Sequence, residues 1–333
     1  MPLPLQSVGI DVGKHNLVAC ILDGPTVSTQ SFGNHKQGIT ELGQWLEKQS
    51  VLPTTPVVLE STGDYHLLPA LSLQQQGYAT KEINPIITKR YLCSSIRKSK
   101  TDKGDAYLLA RIGTLEHHLP PLQRSLATII LKKKITLLSS AANHVRALTV
   151  MMKRSEETRA QLGGDCSEAI NRLARAVQDM KNRVHALEKE IEQEGKHLPG
   201  VSELTSIVGI STLTAIIFLV CTDGKTFTDP KQLIAYVGLD PVVRESGTWH
   251  GKRKLSKRGP PVLRHRLFQA GWGAKQHSPL FKQIYDHHRS LNKHYTTCIL
   301  ILSRKLLRIM FAITRDHTTF DPTKITFSLD SSL

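Results

Sequence analysis

Four acidic side chains early in the sequence occupy places where a carboxylate is costly unless something uses it. Asp11 interrupts the apolar, strand-like segment VGIDVG, and Glu60 closes a second one, PVVLE, just before the turn-forming STG. A carboxylate leaving water in such a setting needs a cationic partner, either a metal ion or a basic side chain in a salt bridge. Asp102 and Asp105, in KSKTDKGDAYLLARIG, are three residues apart at the start of a helical pattern and so share one helix face. Taken singly, Asp102 could complete a capping arrangement with Ser99, and Asp105 could simply favour the positive end of the helix. Taken together, four carboxylates from three segments make an oxygen-donor set for one or two Mg²⁺ ions. That is the chemistry that activates a nucleophile and stabilises the leaving oxygen in phosphoryl transfer. Asp64 reads differently, as a helix N-cap ahead of Tyr65.

A second set of residues lies far downstream. The stretch GKRKLSKRGPPVLRHR gathers Lys252, Arg253, Lys254, Lys257, Arg258, Arg264 and Arg266 without one acid, and phosphate is the natural partner of such a run. Ser256 sits in its middle and has two readings. It is either one more hydrogen-bond donor to phosphate in a solvated loop, or a nucleophile whose attack on phosphorus is helped by the surrounding cations. No histidine or lysine base for it is assignable from the sequence. The pairs His117-His118 and His287-His288 lack a second ligand pair at zinc-site spacing.

The charge balance agrees with a polyanionic partner. Lys and Arg number 44 against 28 Asp and Glu, a net charge of +16, and phosphate contacts by such residues release condensed counterions. Residues 1–110 carry 10 basic and 9 acidic residues whereas residues 111–333 carry 34 and 19, so nearly all the excess lies in the later part. Cys20, Cys93, Cys166, Cys221 and Cys298 are odd in number and never spaced as CxxC, which argues against a disulfide framework or zinc site and suits a reducing cytoplasm. The beginning MPLPLQSVGIDVGKH lacks the pattern of an export signal, and no apolar run approaches the ~20 residues that span a bilayer. The expectation is a cytoplasmic protein.

The elements that must position these residues follow from the hydrophobic pattern. SVGIDVG, NLVACILDG and TVSTQSFGN read as three strands, followed by a helix over HKQGITELGQWLEKQ. Next come a strand over TPVVLEST, a helix over DYHLLPALSLQQQGY, a strand over ATKEINP and a helix over IITKRYLCSSIR. Three strands and then strand–helix alternation suit an α/β, ribonuclease H-like fold. From Leu122 to about Gly195 strand signals vanish. Ile170, Leu173, Val177, Met180, Val184, Leu187 and Ile191 form a heptad seam, and Leu137, Ala141, His144, Leu148 and Met151 repeat it earlier, with a turn at Gly163-Gly164. This is a helical hairpin packed on its own domain or a contact with another subunit. Leu198-Pro199-Gly200 then opens a mainly helical region reaching about Thr314. The resulting division is residues 1–120, a helical connector at 121–197, a second globular domain at 198–320 and a loosely held tail at 321–333.

These residues carry a resemblance to the transposases of the insertion-sequence 110 family, the DEDD transposases, which include Piv-type DNA invertases. It rests on GIDVGK around Asp11, LESTGDY around Glu60, INP at residues 83–85, KTDKGDAYLLA around Asp102 and Asp105, TFTDPKQLIAYVGLDPVVRESG from Thr226 to Gly247, and GKRKLSKRGPPVLRHRL around Ser256. The resemblance implies a RuvC-like nuclease domain, a coiled-coil connector and a C-terminal transposase domain. In that picture Asp11, Glu60, Asp102 and Asp105 bind Mg²⁺, with Mn²⁺ able to substitute. Ser256 attacks the scissile phosphate, is transiently joined to DNA and completes a shared site. It further implies donor and target DNA, a structured guide RNA from the element's noncoding end, and a dimer or tetramer of identical chains. One departure stands out: relatives often have Pro-Gly-Ile-Gly where this chain has Val208-Gly209-Ile210-Ser211. Two other functions compete. A structure-selective nuclease of the Holliday-junction resolvase type needs only the acids and water, and a non-catalytic DNA-binding protein needs only the charge.

Overall fold

The computed structural model describes residues 6–61, 63–83, 85–92, 101–116, 119, 125–162, 167–242, 245–246, 249–250 and 254–324. The chain divides into two compact units, Met1–Gln123 and Arg124–Leu333.

The first unit is a mixed sheet with helices on both faces. Strands β1 (Gln6–Val12), β2 (Asn16–Asp23) and β3 (Thr26–Gly33) are followed by helix α1 (Lys36–Lys48), and then by β4 (Pro56–Glu60), α2 (Leu67–Gln75), β5 (Ala79–Ile83), α3 (Pro85–Leu92) and α4 (Asp102–Leu115). The sheet order is β3-β2-β1-β4-β5. The first three strands pair antiparallel, while β4 joins β1 and β5 joins β4 in parallel. Side chains alternate across a strand, so one face of the sheet presents Val8, Ile10, Leu17, Ala19, Ile21, Val57 and Leu59 to a core shared with α1 and α2. The other face presents Val18, Cys20, Leu22 and Val58 to Ala106, Ala110, Leu109 and Ile112 of α4. Helix α2 begins at Leu67, later than expected, and Asp64 meets it through its backbone carbonyl, which accepts from the Leu67 N–H at 3.2 Å.

The second unit is mostly helical. It contains α5 (Leu126–Leu162), α6 (Ser167–Gly195), α7 (Val201–Thr205), α8 (Thr212–Thr222), α9 (Pro230–Val237), α10 (Pro261–His277), α11 (Pro279–Ser290) and α12 (Tyr295–Asp316). Four two-residue strands lie between α9 and α10: β6 (Pro241–Val242), β7 (Glu245–Ser246), β8 (Trp249–His250) and β9 (Lys254–Leu255), pairing β6 with β9 and β7 with β8. Helix α8 is apolar all round, with Leu213 to Phe218 buried, and so forms the centre on which the other helices pack.

The α6 seam lies partly inside, with Val177 and Ile191 buried. On α5 the expected seam is out of register. Leu137 and Met151 are 61% and 51% exposed, whereas Leu131, Ile135 and Leu138 are nearly inaccessible and join the core containing Ile191. Helix α5 faces α8 and α10 as well as α6, so a pattern read for one partner helix chose the wrong stripe. Lys134 fixes the pair by reaching Glu190 and Glu194 of α6, each at 2.6 Å. The Gly163-Gly164 turn lies outside the described residues.

At the departure from the family pattern, Gly209 supplies the turn with φ +95°, and the Ile210 N–H donates to the Ile207 carbonyl at 3.0 Å. Ser211 then caps α8 by accepting from the Thr214 N–H at 3.2 Å. A β-carbon at position 209 would press on the Ala270 oxygen and Ala274 nitrogen of α10, so this glycine serves both the turn and the packing. Among the described residues no helix is long and apolar enough to cross a membrane.

Candidate active site

The four acids come from three elements whose packing decides whether they meet. The parallel register of β1 and β4 pairs Ile10 with Leu59, so Asp11 and Glu60 follow one step further along adjacent strands. Gly9 and Val58, two residues before each, face α4, and Asp11 and Glu60 therefore point to that same face. Gly9 lets α4 lie almost on the sheet backbone: a β-carbon there would overlap Ala106 and Ala110, just as one at Gly113 would overlap Ser7. Those two contacts also give the helix its direction. Going from Ala106 to Gly113 along α4 is going from Gly9 back to Ser7 along β1, so the first turn of α4, with Asp102 and Asp105, lies at the carboxyl ends of β1 and β4.

The cap of that helix is Thr101, whose hydroxyl accepts from the Gly104 N–H at 3.2 Å, and Asp102 is left exposed in the first turn. Ser99 lies outside the described residues. The rim of the cluster is tied down by Asn34, whose amide donates to the Gly13 carbonyl at 2.9 Å and the Tyr65 carbonyl at 3.1 Å. Ser61, directly after Glu60, donates from its N–H and hydroxyl to the Ile83 carbonyl at 2.9 and 3.0 Å.

The electrostatics show the convergence. The Asp11 carboxyl is pushed up from 3.8 to about 6, first by burial and then by the charges of Asp105, Asp102 and Glu60, against a smaller lowering from a hydrogen bond with the Val12 backbone. All three other acids therefore act on Asp11. Among the described residues no group of three or more His, Cys, Asp or Glu side chains already stands arranged to hold a metal ion. The four carboxylates form a charge cluster with hard oxygen donors, which suits a Mg²⁺-type cation in chemistry, and not a preformed coordination shell.

In the second unit, Ser256 directly follows β9, while Asp240 directly precedes β6. Pairing of Pro241 with Leu255 and of Val242 with Lys254 brings the two residues side by side. The Ser256 N–H donates to the Asp240 carbonyl at 3.0 Å, and the Ser256 hydroxyl donates to the Asp240 carboxylate through Oδ1. Lys257 follows in the left-handed region at φ 53°, its N–H donating to the Gly238 carbonyl at 3.1 Å. A non-glycine residue persists there because the surroundings over-determine its backbone.

The seven basic residues separate into groups. Lys254, Lys257 and Arg258 are exposed around Ser256, and Lys252 and Arg253 lie outside the described residues. Arg264 and Arg266, expected to hold phosphate, are engaged inside the protein. Arg264 donates to the Val237 carbonyl at 3.0 Å and the Gly259 carbonyl at 2.5 Å, joining the end of α9 to the loop that carries Ser256, and burial holds its pKa below the ordinary value. Arg266 pairs with Glu188 of α6. A run of like charges on one helix reads as a single patch in sequence, but helix periodicity turns some of its members inward.

Sequence reasoning missed Asp240 and Arg304. Arg304, on α12, has its pKa lowered by burial and by Arg308, and Asp240 works in the opposite direction. The available signal for Asp240 was the turn after α9, GLDP, with an acid directly before a proline that opens a strand.

The comparisons with known proteins cover both sets of residues. The IS110 DEDD transposase model, described as Transposase, matches residues 8–129. A second model, described as Transposase IS116/IS110/IS902 family, matches residues 201–286. The chain is 28% identical to the pilin gene-inverting protein of Moraxella bovis over 318 residues, 94% of this chain and 97% of that one. It is 21% identical to the transposase for insertion sequence element IS1111A of Coxiella burnetii over 347 residues, 94% of this chain and 91% of that one. A 43.6 kDa protein of insertion element IS110 from Streptomyces coelicolor matches over 159 residues at 28% identity, 47% of this chain and 39% of that one. With both family models matched in order along one chain, the protein belongs to the IS110 family of transposases, enzymes that cleave and rejoin DNA.

Proposed function

We propose that this transposase breaks and rejoins DNA by metal-assisted phosphoryl transfer, with Asp11, Glu60, Asp102 and Asp105 as the ligands of Mg²⁺, or of Mn²⁺ in its place, and Ser256 as the nucleophile. The observation that carries this reading is the upward shift of Asp11, first by burial and then by the charges of the other three acids. Like charges acting on a half-buried carboxyl at the carboxyl ends of two central strands favour a cation bound there. The sheet order, three antiparallel strands extended by two parallel ones, supports a RuvC-like description of the first unit.

A bound metal supplies charge stabilisation at the phosphate and leaving oxygens. The rest falls to the chain. Exposed Lys254, Lys257 and Arg258, with Lys252 and Arg253, hold the DNA backbone beside Ser256. The serine hydroxyl forms a phosphodiester to the strand end, the broken strand is released with a free hydroxyl, and rejoining reverses the exchange. Donor and target DNA are the substrates. Their choice by a structured RNA from the element's noncoding end rests on the family resemblance alone.

The test has two parts. Mg²⁺ or Mn²⁺ should raise the melting temperature of the wild-type protein and leave Asp11→Asn unmoved. A plasmid carrying the element with its noncoding flanks should yield a denaturation-resistant protein–DNA adduct that Ser256→Ala does not form. Metal-dependent cleavage without any adduct would point instead to a hydrolytic nuclease of the resolvase type, and wild-type recombination by Ser256→Ala would remove the serine mechanism. Competition at physiological salt between the element's RNA and an unrelated RNA of equal length tests the guide. Equal binding with RNA-independent recombination would leave a protein-only enzyme.

A further inference from the structure

We infer that Asp240 is the general base of the serine step: its carboxylate takes the proton from the Ser256 hydroxyl as that oxygen attacks phosphorus, with Arg304 of α12 as its cationic neighbour. The inference rests on the reading of Ser256 as nucleophile and adds the group that activates it. A serine hydroxyl is a weak nucleophile without an adjacent base. The Ser256 hydroxyl donates its proton to Asp240 Oδ1, so the acceptor stands at the reacting oxygen itself.

This contact is built into the backbone. Asp240 and Ser256 bracket the β6–β9 pair, the Ser256 N–H donates to the Asp240 carbonyl at 3.0 Å, and the next residue is tied to the Gly238 carbonyl at 3.1 Å. The charged groups around the carboxylate come from two elements. Lys257 and Arg258 follow Ser256 in its own loop, while Arg304 lies on α12, close enough to feel Asp240, with Arg308 one turn further on. Arg304 Nε is buried without a hydrogen-bond partner. These cations are placed to disperse the negative charge that grows on the attacked phosphate.

The step balances. The Ser256 Oγ–H bond breaks and its proton goes to Asp240. An Oγ–P bond forms as the bond from phosphorus to one deoxyribose oxygen breaks, and that oxygen leaves with the electron pair. Asp240 passes its proton to solvent and the departing oxygen takes one up. In rejoining, Asp240 takes a proton back from solvent, the sugar hydroxyl loses its proton to solvent as its oxygen attacks the phosphoserine, and the P–Oγ bond breaks with the Asp240 proton passing to Ser256 Oγ.

The experiment uses the full-length protein and a plasmid carrying the element with its transcribed noncoding flanks, and follows adduct formation at saturating Mg²⁺ from about pH 3.5, near the ordinary carboxylate range, to about pH 9. Wild-type rates should fall on the acid side, as expected when a carboxylate base is lost. Asp240→Asn, which keeps the shape and a hydrogen-bond acceptor, should lose on the order of 10²-fold or more, the contribution of a positioned base, and its residual rate should climb with pH. Asp240→Glu should recover part of the rate and restore the acid limb. Asp240→Asn within a few-fold of wild type and with an unchanged pH profile overturns the proposal and leaves Asp240 as a loop fastener. If Asp240→Asn melts early, Asp240→Glu decides, because a fastener moved by one methylene restores no acid limb. Ser256→Ala, run alongside, separates the two readings: adducts from that variant would sink the nucleophile assignment itself, whereas an inactive Ser256→Ala beside a fully active Asp240→Asn would sink only the base.

Discussion

The acid cluster of the first unit and the serine loop of the second are built on opposite principles. Around Asp11, rigid elements hold four like charges together, and burial, then repulsion by the other three, raises the pKa of one member. Around Ser256, a short loop with a left-handed lysine is fastened to Gly238 and Asp240 by its backbone and to Val237 and Gly259 by Arg264. The first region carries its electrostatic strain at Asp11. The second is locally satisfied and presents its exposed cations outward. Frustration placed on a sheet and satisfaction placed in a loop both serve position: a strand end can bear unfavourable charge because its neighbours cannot yield, while a loop holds its shape only if its own hydrogen bonds are made.

The largest effect expected from breaking this contrast is on cleavage. Asp11→Asn, Glu60→Gln, Asp102→Asn and Asp105→Asn should each lower strand cleavage on the order of 10²–10³-fold or more at physiological Mg²⁺ while leaving the circular dichroism spectrum unchanged, since each removes a stabilising charged oxygen and no core contact. Any one of them retaining full activity in a single-turnover assay would drop out of the cluster's function.

A smaller effect separates the basic residues. Arg264→Ala should cost about 2 kcal/mol by stranding two carbonyls from a charged donor, a fall of roughly 4–8 °C in melting temperature for a unit of this size. Lys257→Ala should leave melting nearly unchanged and instead reduce the slope of log affinity for DNA against log salt by about 0.9, one phosphate contact. A scan of melting temperatures beside a salt titration checks both, and equal melting of the two variants would erase the distinction drawn between inward and outward cations.

The smallest effect sharpens the frustration itself. Because the folded Asp11 carboxyl titrates at about 6 instead of 3.8, its stability penalty is absent below 3.8, grows as pH rises between the two values, and is complete above 6. Metal-free Asp11→Asn should therefore melt slightly above wild type at pH 7–8 and level with it at pH 3.5–4. The side chain is only half-buried, so solvent screening keeps the difference to a few degrees. A metal-free variant that melts below wild type at pH 8 would show that Asp11 is instead held by a favourable partner.

Much of the first unit was legible without coordinates. The alternation in SVGIDVG, NLVACILDG and TVSTQSFGN marks β1 to β3, and an acid inside an otherwise buried strand singled out Asp11, whose cost asks for a metal ion or a basic partner. The second unit was legible only in outline. Its helices carry a clear period, but a helix that meets several partners has more than one apolar stripe, and the expected α5 seam at Leu137 and Met151 proved exposed. The basic run likewise gave no sign that Arg264 and Arg266 turn inward.

Local patterning, in which each residue's role depends on neighbours within a few positions, was enough to determine the order of strands and helices in the first unit and the family motifs in which the four acids and the serine lie. What only the tertiary structure decided depends on pairings across long stretches of chain. The direction of α4 over β1, imposed by backbone contact at Gly9 and Gly113, brings the first turn of α4 to Asp11. The β6–β9 pairing places Asp240 against a serine 16 residues away. No periodicity in the chain encodes either encounter, because both follow from which surfaces can approach most closely once the rest of the unit has packed.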